Sequence, residues 1–243
     1  MRNIILIIFI LLQYHLCIAT AQTRVSIRAD DGLEVAADSY LVNDTLPWVL
    51  MFHQAGSSRG EFREIAPKLT KLGYNGLAVD LRYGNEIRFI PNETAQTART
   101  EGYSRSMTDA MTDMRAAINW VSQISHLPVI LFGSSYTASL SMMMAVENTE
   151  ISAVIAFSPG EYLGENRTVQ DQVMDIQVPV FIASTNLEFP YVTELSSGID
   201  PAYKTLFTPA NNSGSHGAKA LWESEEASND YWLNLLMFLN RIR

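Results

Sequence analysis

The sequence predicts an α/β fold: a doubly wound, mostly parallel sheet with helices on both faces. Three observations carry the prediction. Short continuous apolar runs, such as Trp48-Val49-Leu50-Met51-Phe52 and Val129-Ile130-Leu131-Phe132, read as strands buried on both faces. They alternate with segments whose apolar residues recur at helical spacing. The chain has 243 residues, 47% of them apolar, which is enough for one sizeable core.

Residues 1–21 stand apart from this pattern. Arg2 supplies a positive start, residues 4–12 are an unbroken apolar run, and Ala19-Thr20-Ala21 gives a small-x-small cleavage site. That order is the layout of a secretory signal peptide. Cleavage after Ala21 would leave a domain at 22–243, exported to the periplasm or the extracellular space. The apolar run is far short of the ~20 residues that span a bilayer, so no stable membrane span is expected after cleavage. The alternative is an uncleaved anchor extended by Leu16 and Ile18. The only cysteine, Cys17, lies inside this segment. Bulky Leu16 before it argues against a lipid attachment site. The domain itself therefore has no disulfide, thiolate nucleophile or thiolate metal site.

Within the domain, residues 25–28 and 33–40 flank the turn signal Asp30-Asp31-Gly32 and read as an antiparallel hairpin. Residues 48–52 form a strand, 59–72 a helix stopped by Gly73, and 76–79 the next strand. Residues 81–104 show no clear period, and 84–105 reads as a short lid-like loop. Helical spacing returns over 106–121. Strands follow at 129–132, 153–157, 178–183 and 204–207, with a helix at 138–146. Residues 218–242 read as one long helix with polar first turns. In such sheets, sites form outside the carboxyl ends of the strands.

The chain carries 17 Lys+Arg against 26 Asp+Glu, a formal charge of −9. An acidic chain without a basic cluster has no footprint for nucleic acid or anionic lipid. No repeat, low-complexity tract or metal-ligand spacing stands out, and the oligomeric state is not readable.

Two serines stand at the tip of the strand in "VILFGSSYTASL". A strand that turns abruptly into a helix needs small residues two positions either side of its turn residue. Around Ser134 these are Phe132 and Tyr136, both too large. Around Ser135 they are Gly133 and Thr137, so Ser135 is the candidate nucleophile. The alternative is a Ser/Gly-rich turn in which Ser134 or Ser135 caps a helix. A serine needs a base. His126 precedes its strand and lies at the wrong edge, and His53 opens the loop expected to supply oxyanion donors. His216, in a Gly/Ser-rich loop after the last strand, is left, or it is a surface loop histidine. A carboxylate should orient the imidazole. Glu188 follows the strand at 178–183; Glu161 in "SPGEYLG" is the rival, and either suits a solvated loop. Expected oxyanion donors are the N–H of Tyr136, after the nucleophile, and that of Gln54, after the strand at 48–52.

These pieces resemble the α/β-hydrolase superfamily. "VLMFHQAGSSRGEFREIAPKLTKLGYNGLAVDLRYG" and "VILFGSSYTASL" together are similar to its dienelactone-hydrolase-like and small serine esterase branches. The resemblance covers nearly all of the domain. It implies an eight-stranded sheet whose second strand runs antiparallel, and ester-type hydrolysis without a cofactor. Three departures stand out: serine where dienelactone hydrolases use cysteine, a shifted acid position, and a short lid. The expected function is that of an exported serine hydrolase acting on a small-molecule carboxylic ester of modest size. A peptidase, or a binding module on a hydrolase scaffold, are the other classes; a lipase would need a larger apolar lid. Arg82, Arg88 and Arg99 would favour a carboxylate-bearing substrate if they faced the site, or are solvated loop residues.

Overall fold

The computed structural model describes residues 22–146, 148–164, 168–210 and 213–243. The predicted signal segment, 1–21, lies outside the described residues. The chain runs through β1 (Gln22–Arg28), β2 (Glu34–Tyr40), β3 (Trp48–Phe52), α1 (Ile65–Lys71) and β4 (Asn75–Val79). It continues through β5 (Glu86–Ile87), β6 (Ile90–Pro91), α2 (Glu93–Glu101), α3 (Ala110–Ser122), β7 (Val129–Ser134) and α4 (Tyr136–Met144). It ends with β8 (Ile151–Phe157), α5 (Thr168–Gln172), β9 (Val180–Ala183), α6 (Phe189–Leu195), β10 (Lys204–Phe207) and α7 (Ser228–Arg241).

The main sheet has eight strands in the order β1-β2-β4-β3-β7-β8-β9-β10. β2 runs antiparallel to both β1 and β4, and the pairs from β4 to β10 are parallel. The expected antiparallel second strand is therefore present. Side chains alternate across each strand, so each central strand feeds two cores. From β3, Leu50 and Phe52 join Leu77, Leu131, Met114 and Leu140 under α3 and α4. Val49 and Met51 join Phe132, Leu69, Leu235 and Phe238 under α1 and α7. On the second face Phe132, Phe157 and Phe181 form a row across three neighbouring strands, with ring centroids 5.4 and 6.1 Å apart.

Three segments differ from the sequence prediction. The helix expected at 59–72 is a 3₁₀ turn, Arg59–Phe62, followed by α1; Ser58 caps the turn by accepting the Gly60 N–H, and Pro67 sits in the first turn of α1, where it is tolerated. The helix expected at 218–242 is broken. A 3₁₀ turn at Ala218–Leu221 ends in extended backbone at Trp222, whose indole N–H donates to Glu61 O at 2.8 Å, and α7 begins only at Ser228. The lid-like loop at 84–105 contains the hairpin β5–β6 and α2. Thr94 Oγ1 accepts the β2 amide of Ala36 at 2.8 Å, so α2 is docked on β2.

Candidate active site

Ser135 links β7 to α4 with φ 61° and ψ −124°. Such backbone in a non-glycine residue costs about 1–3 kcal/mol and persists only where its surroundings enforce it. Here the Ser135 N–H is held by Phe157 O at 2.8 Å. A Cβ on Gly133 would lie 2.3 Å from Thr137 O, so no side chain fits there. Thr137 Oγ1 accepts the Ser134 N–H at 2.8 Å and donates to Phe52 O at 2.7 Å. A β-branched residue suits this place because its hydroxyl closes the turn and ties it to β3.

Successive strand residues point to opposite faces, and the two serines separate accordingly. Fully buried Ser134 donates to Glu61 Oε1 at 2.6 Å and accepts the Ala218 N–H at 2.8 Å. Ser135 Oγ donates to His216 Nε2 at 2.9 Å, and His216 Nδ1–H donates to Glu188 Oε1 at 2.5 Å. Glu188 Oε2 accepts the Ser158 hydroxyl at 2.7 Å and the Thr185 N–H at 3.0 Å. Burial alone would push the Glu188 carboxyl up. The His216, Thr185 and Ser158 hydrogen bonds outweigh it and hold the group down at about 2. A Cβ on Gly217 (φ 76°) would come 2.6 Å from Ser134 Oγ, so glycine lets the histidine loop settle on the elbow.

The rival positions serve the scaffold. Glu161 caps the start of α5 by accepting the Val169 and Gln170 N–H groups at 2.9 and 2.8 Å. His53 is fully buried; its Nδ1–H donates to Gln54 O at 2.8 Å, and Nε2 accepts from Leu81 N–H and Asn92 Nδ2 at 2.9 and 3.0 Å. Burial pulls its pKa from 6.5 to about 4, which keeps the ring neutral. The expectation for Gln54 requires correction. Its N–H donates to Glu61 Oε2 at 2.9 Å, so that donor is occupied. The next amide in the turn, exposed Ala55, has no acceptor among the described residues, and nor has the Tyr136 N–H at the start of α4.

Two of the three arginines are also engaged. Arg82 is buried rather than solvated, paired with Asp113 at 2.8 Å and Asp31 at 2.6 Å. Arg88 pairs with Glu64 at 2.6 Å and lies over the Trp222 ring. Exposed Arg99 belongs to α2. Sequence reasoning missed Tyr162. Its hydroxyl donates to Ser158 O at 3.2 Å and lies beside that of Ser135, with the ring seated on Gly160. The only signal for it in the sequence is its place in the loop after β8, beside Glu161. Apolar Leu187, next to Glu188, is 92% exposed at the same rim. A cleft of about 690 Å³ opens elsewhere, beside Ala145, Ile151 and Val178, at the amino ends of β8 and β9 and away from these groups. Among the described residues no His/Cys/Asp/Glu cluster could hold a metal ion, and no helix is long and apolar enough to cross a membrane.

Solved structures share this architecture. The Pyrococcus furiosus esterase Pf2001 is 17% identical, with a TM-score of 0.69 over 91% of this chain and 90% of that one. A dienelactone hydrolase from Anabaena variabilis is 18% identical, with a TM-score of 0.70 over 91% and 97%. Est1E from Butyrivibrio proteoclasticus is 15% identical, with a TM-score of 0.67 over 90% and 98%. No curated protein sequence matches the chain. The profile of the Dienelactone hydrolase family matches residues 36–203, a span that includes Ser135 and Glu188 and stops before His216. With well over half of its length matched by that profile on an α/β-hydrolase sheet, the chain belongs to the dienelactone hydrolase family.

Proposed function

We propose that the protein is a serine hydrolase that cleaves uncharged carboxylic esters of modest size. The observation that carries this reading is the continuous hydrogen-bonded relay from Ser135 Oγ through His216 to Glu188, at 2.9 and 2.5 Å, on a strained strand-to-helix turn. His216 Nε2 takes the Ser135 proton as Oγ attacks the ester carbonyl. The N–H groups of Tyr136 and Ala55 receive the developing oxyanion, since that of Gln54 is committed to Glu61. His216 returns the proton to the departing alcohol, then activates water against the acyl-enzyme. Glu188 holds the ring in the tautomer with Nδ1 protonated and stabilises it when charged. The internal pairing of Arg82 and Arg88 supports an uncharged substrate, and exposed Leu187 and Tyr162 offer an apolar rim.

The test is a fluorophosphonate probe followed by mass spectrometry, with hydrolysis of acetyl, butyryl and longer acyl esters. A single adduct on Ser135, lost in His216→Ala, and a preference for the short esters are expected. A folded protein that takes no adduct would be a binding module instead. The reading includes export with cleavage after Ala21, which intact-mass measurement of the protein recovered outside the cytoplasm checks; a mature chain beginning at Gln22 is expected.

A further inference from the structure

Glu61 is fully buried and has no Lys or Arg partner in salt-bridge range among the described residues. Its carboxylate instead collects donors from two separate segments. Oε2 takes the Gln54 N–H at 2.9 Å, and Oε1 takes the Ser134 hydroxyl at 2.6 Å. Ser134 Oγ in turn accepts the Ala218 N–H at 2.8 Å, two residues after His216. The Glu61 carbonyl accepts the Trp222 indole N–H at 2.8 Å. One residue thus joins the turn after β3, the elbow and the histidine loop, and a buried carboxylate without a cation is costly enough to need a reason.

We propose that Glu61 is a positioning residue for hydrolysis. It fixes the amides after β3 relative to Ser135, and through Ser134 it fixes the approach of His216. It does not touch substrate. The proposal rests on Ser135 being the nucleophile. Its expected signature is a fall in kcat with KM preserved, because the acylation geometry is lost and the open substrate rim is not.

The experiment compares the fluorophosphonate labelling rate and the steady-state constants on a short-chain ester for wild type, Glu61→Ala, Glu61→Gln, Ser134→Ala and the Glu61→Ala/Ser134→Ala double variant. Glu61→Ala is expected to lower kcat and the labelling rate about 100-fold with KM within about threefold, the scale of losing one oxyanion donor. Glu61→Gln retains an acceptor for Gln54 but not for the Ser134 hydroxyl, and should lose about tenfold, as should Ser134→Ala. The double variant should be no worse than Glu61→Ala alone, because both act through one network. Labelling within about threefold of wild type in Glu61→Ala, a change confined to KM, or additive losses would overturn the proposal. If thermal melts show Glu61→Ala unfolded, Glu61→Gln and Ser134→Ala decide: wild-type rates in both overturn it, and tenfold losses in both support it. Failure of the wild type to label would remove the nucleophile reading, and this proposal with it. Labelled wild type with unaffected Glu61 variants would remove only this one.

Discussion

His53 and His216 both stand at the carboxyl edge of the sheet, and their ring nitrogens are used in opposite ways. His53 spends both nitrogens on the backbone and on Asn92, with the ring fully buried. His216 is 37% exposed at the side chain and has one nitrogen on a carboxylate and the other on a hydroxyl. The first arrangement fixes a loop in place. On the proposed mechanism, the second leaves a proton free to move between two groups when a substrate arrives. Residue type and position along the sheet edge do not separate the two. The partners do.

Substitutions sharpen that contrast. Removing the moving proton has the largest expected effect: Ser135→Ala or His216→Ala should lower kcat/KM for a short-chain ester about 10³–10⁴-fold while the melting temperature changes little. Glu188→Gln preserves shape but weakens the orientation and charge support of the ring. It should cost about 10³-fold, read in the same assay. His53→Ala should act on stability. It strands the Leu81 N–H and Gln54 O and leaves a void, for a loss of about 3 kcal/mol in chemical denaturation.

The two sites also separate by pH. The unfolded chain protonates His53 near 6.5 and the folded chain only near 4, so below 6.5 the unfolded state binds the extra proton. Its contribution is complete above 6.5 and is lost as pH falls toward 4, by about 3 kcal/mol in all. Glu188, held down at about 2 against an ordinary 4.5, loses its contribution only as pH falls below 4.5. Between pH 7 and 4, denaturation of a His53→Gln variant should therefore lose less stability than wild type as pH falls, whereas Glu188→Gln should keep the wild-type slope over the upper half of that range. The smallest effect is at the elbow. Thr137→Gly removes the hydroxyl that serves Ser134 N–H and Phe52 O and adds backbone freedom, and should cost about 1–2 kcal/mol. A neutral outcome would mean that the turn closes without the hydroxyl.

The parts of the candidate site legible in the sequence were those set by local sterics and chain order. Ser135 followed from the bulk of Phe132 and Tyr136 around its neighbour. Glu188 and His216 followed from their places after successive strands. Thr137 read only as a small neighbour of the turn, because a hydroxyl that reaches a neighbouring strand cannot be read from one segment. The same limit hid Glu61 and Tyr162, whose roles depend on contacts with residues distant in sequence, and it made Gln54 look available when Glu61 already holds its N–H. In the fold, the strands were plain from their apolar runs. The β5–β6 hairpin was not, because Arg88 and Phe89 take positive φ (52° and 63°) without the usual Gly or Asn. Helix α2 has an Asn92 cap and a Gly102 stop but few apolar residues, so it showed no period.

The order in which the parts appear along the chain has a consequence for biosynthesis. Ser135 and Glu188 emerge well before His216, and the histidine loop is held in place by Ala218 on Ser134 and by Trp222 on Glu61. α7, which packs Phe238 against Phe181 at 5.5 Å, follows later still. On the proposed mechanism, a partly translated chain is chemically silent: it carries a serine without a base. On that mechanism, competence requires docking of the histidine loop on the elbow, through His216 on Ser135 and Ala218 on Ser134.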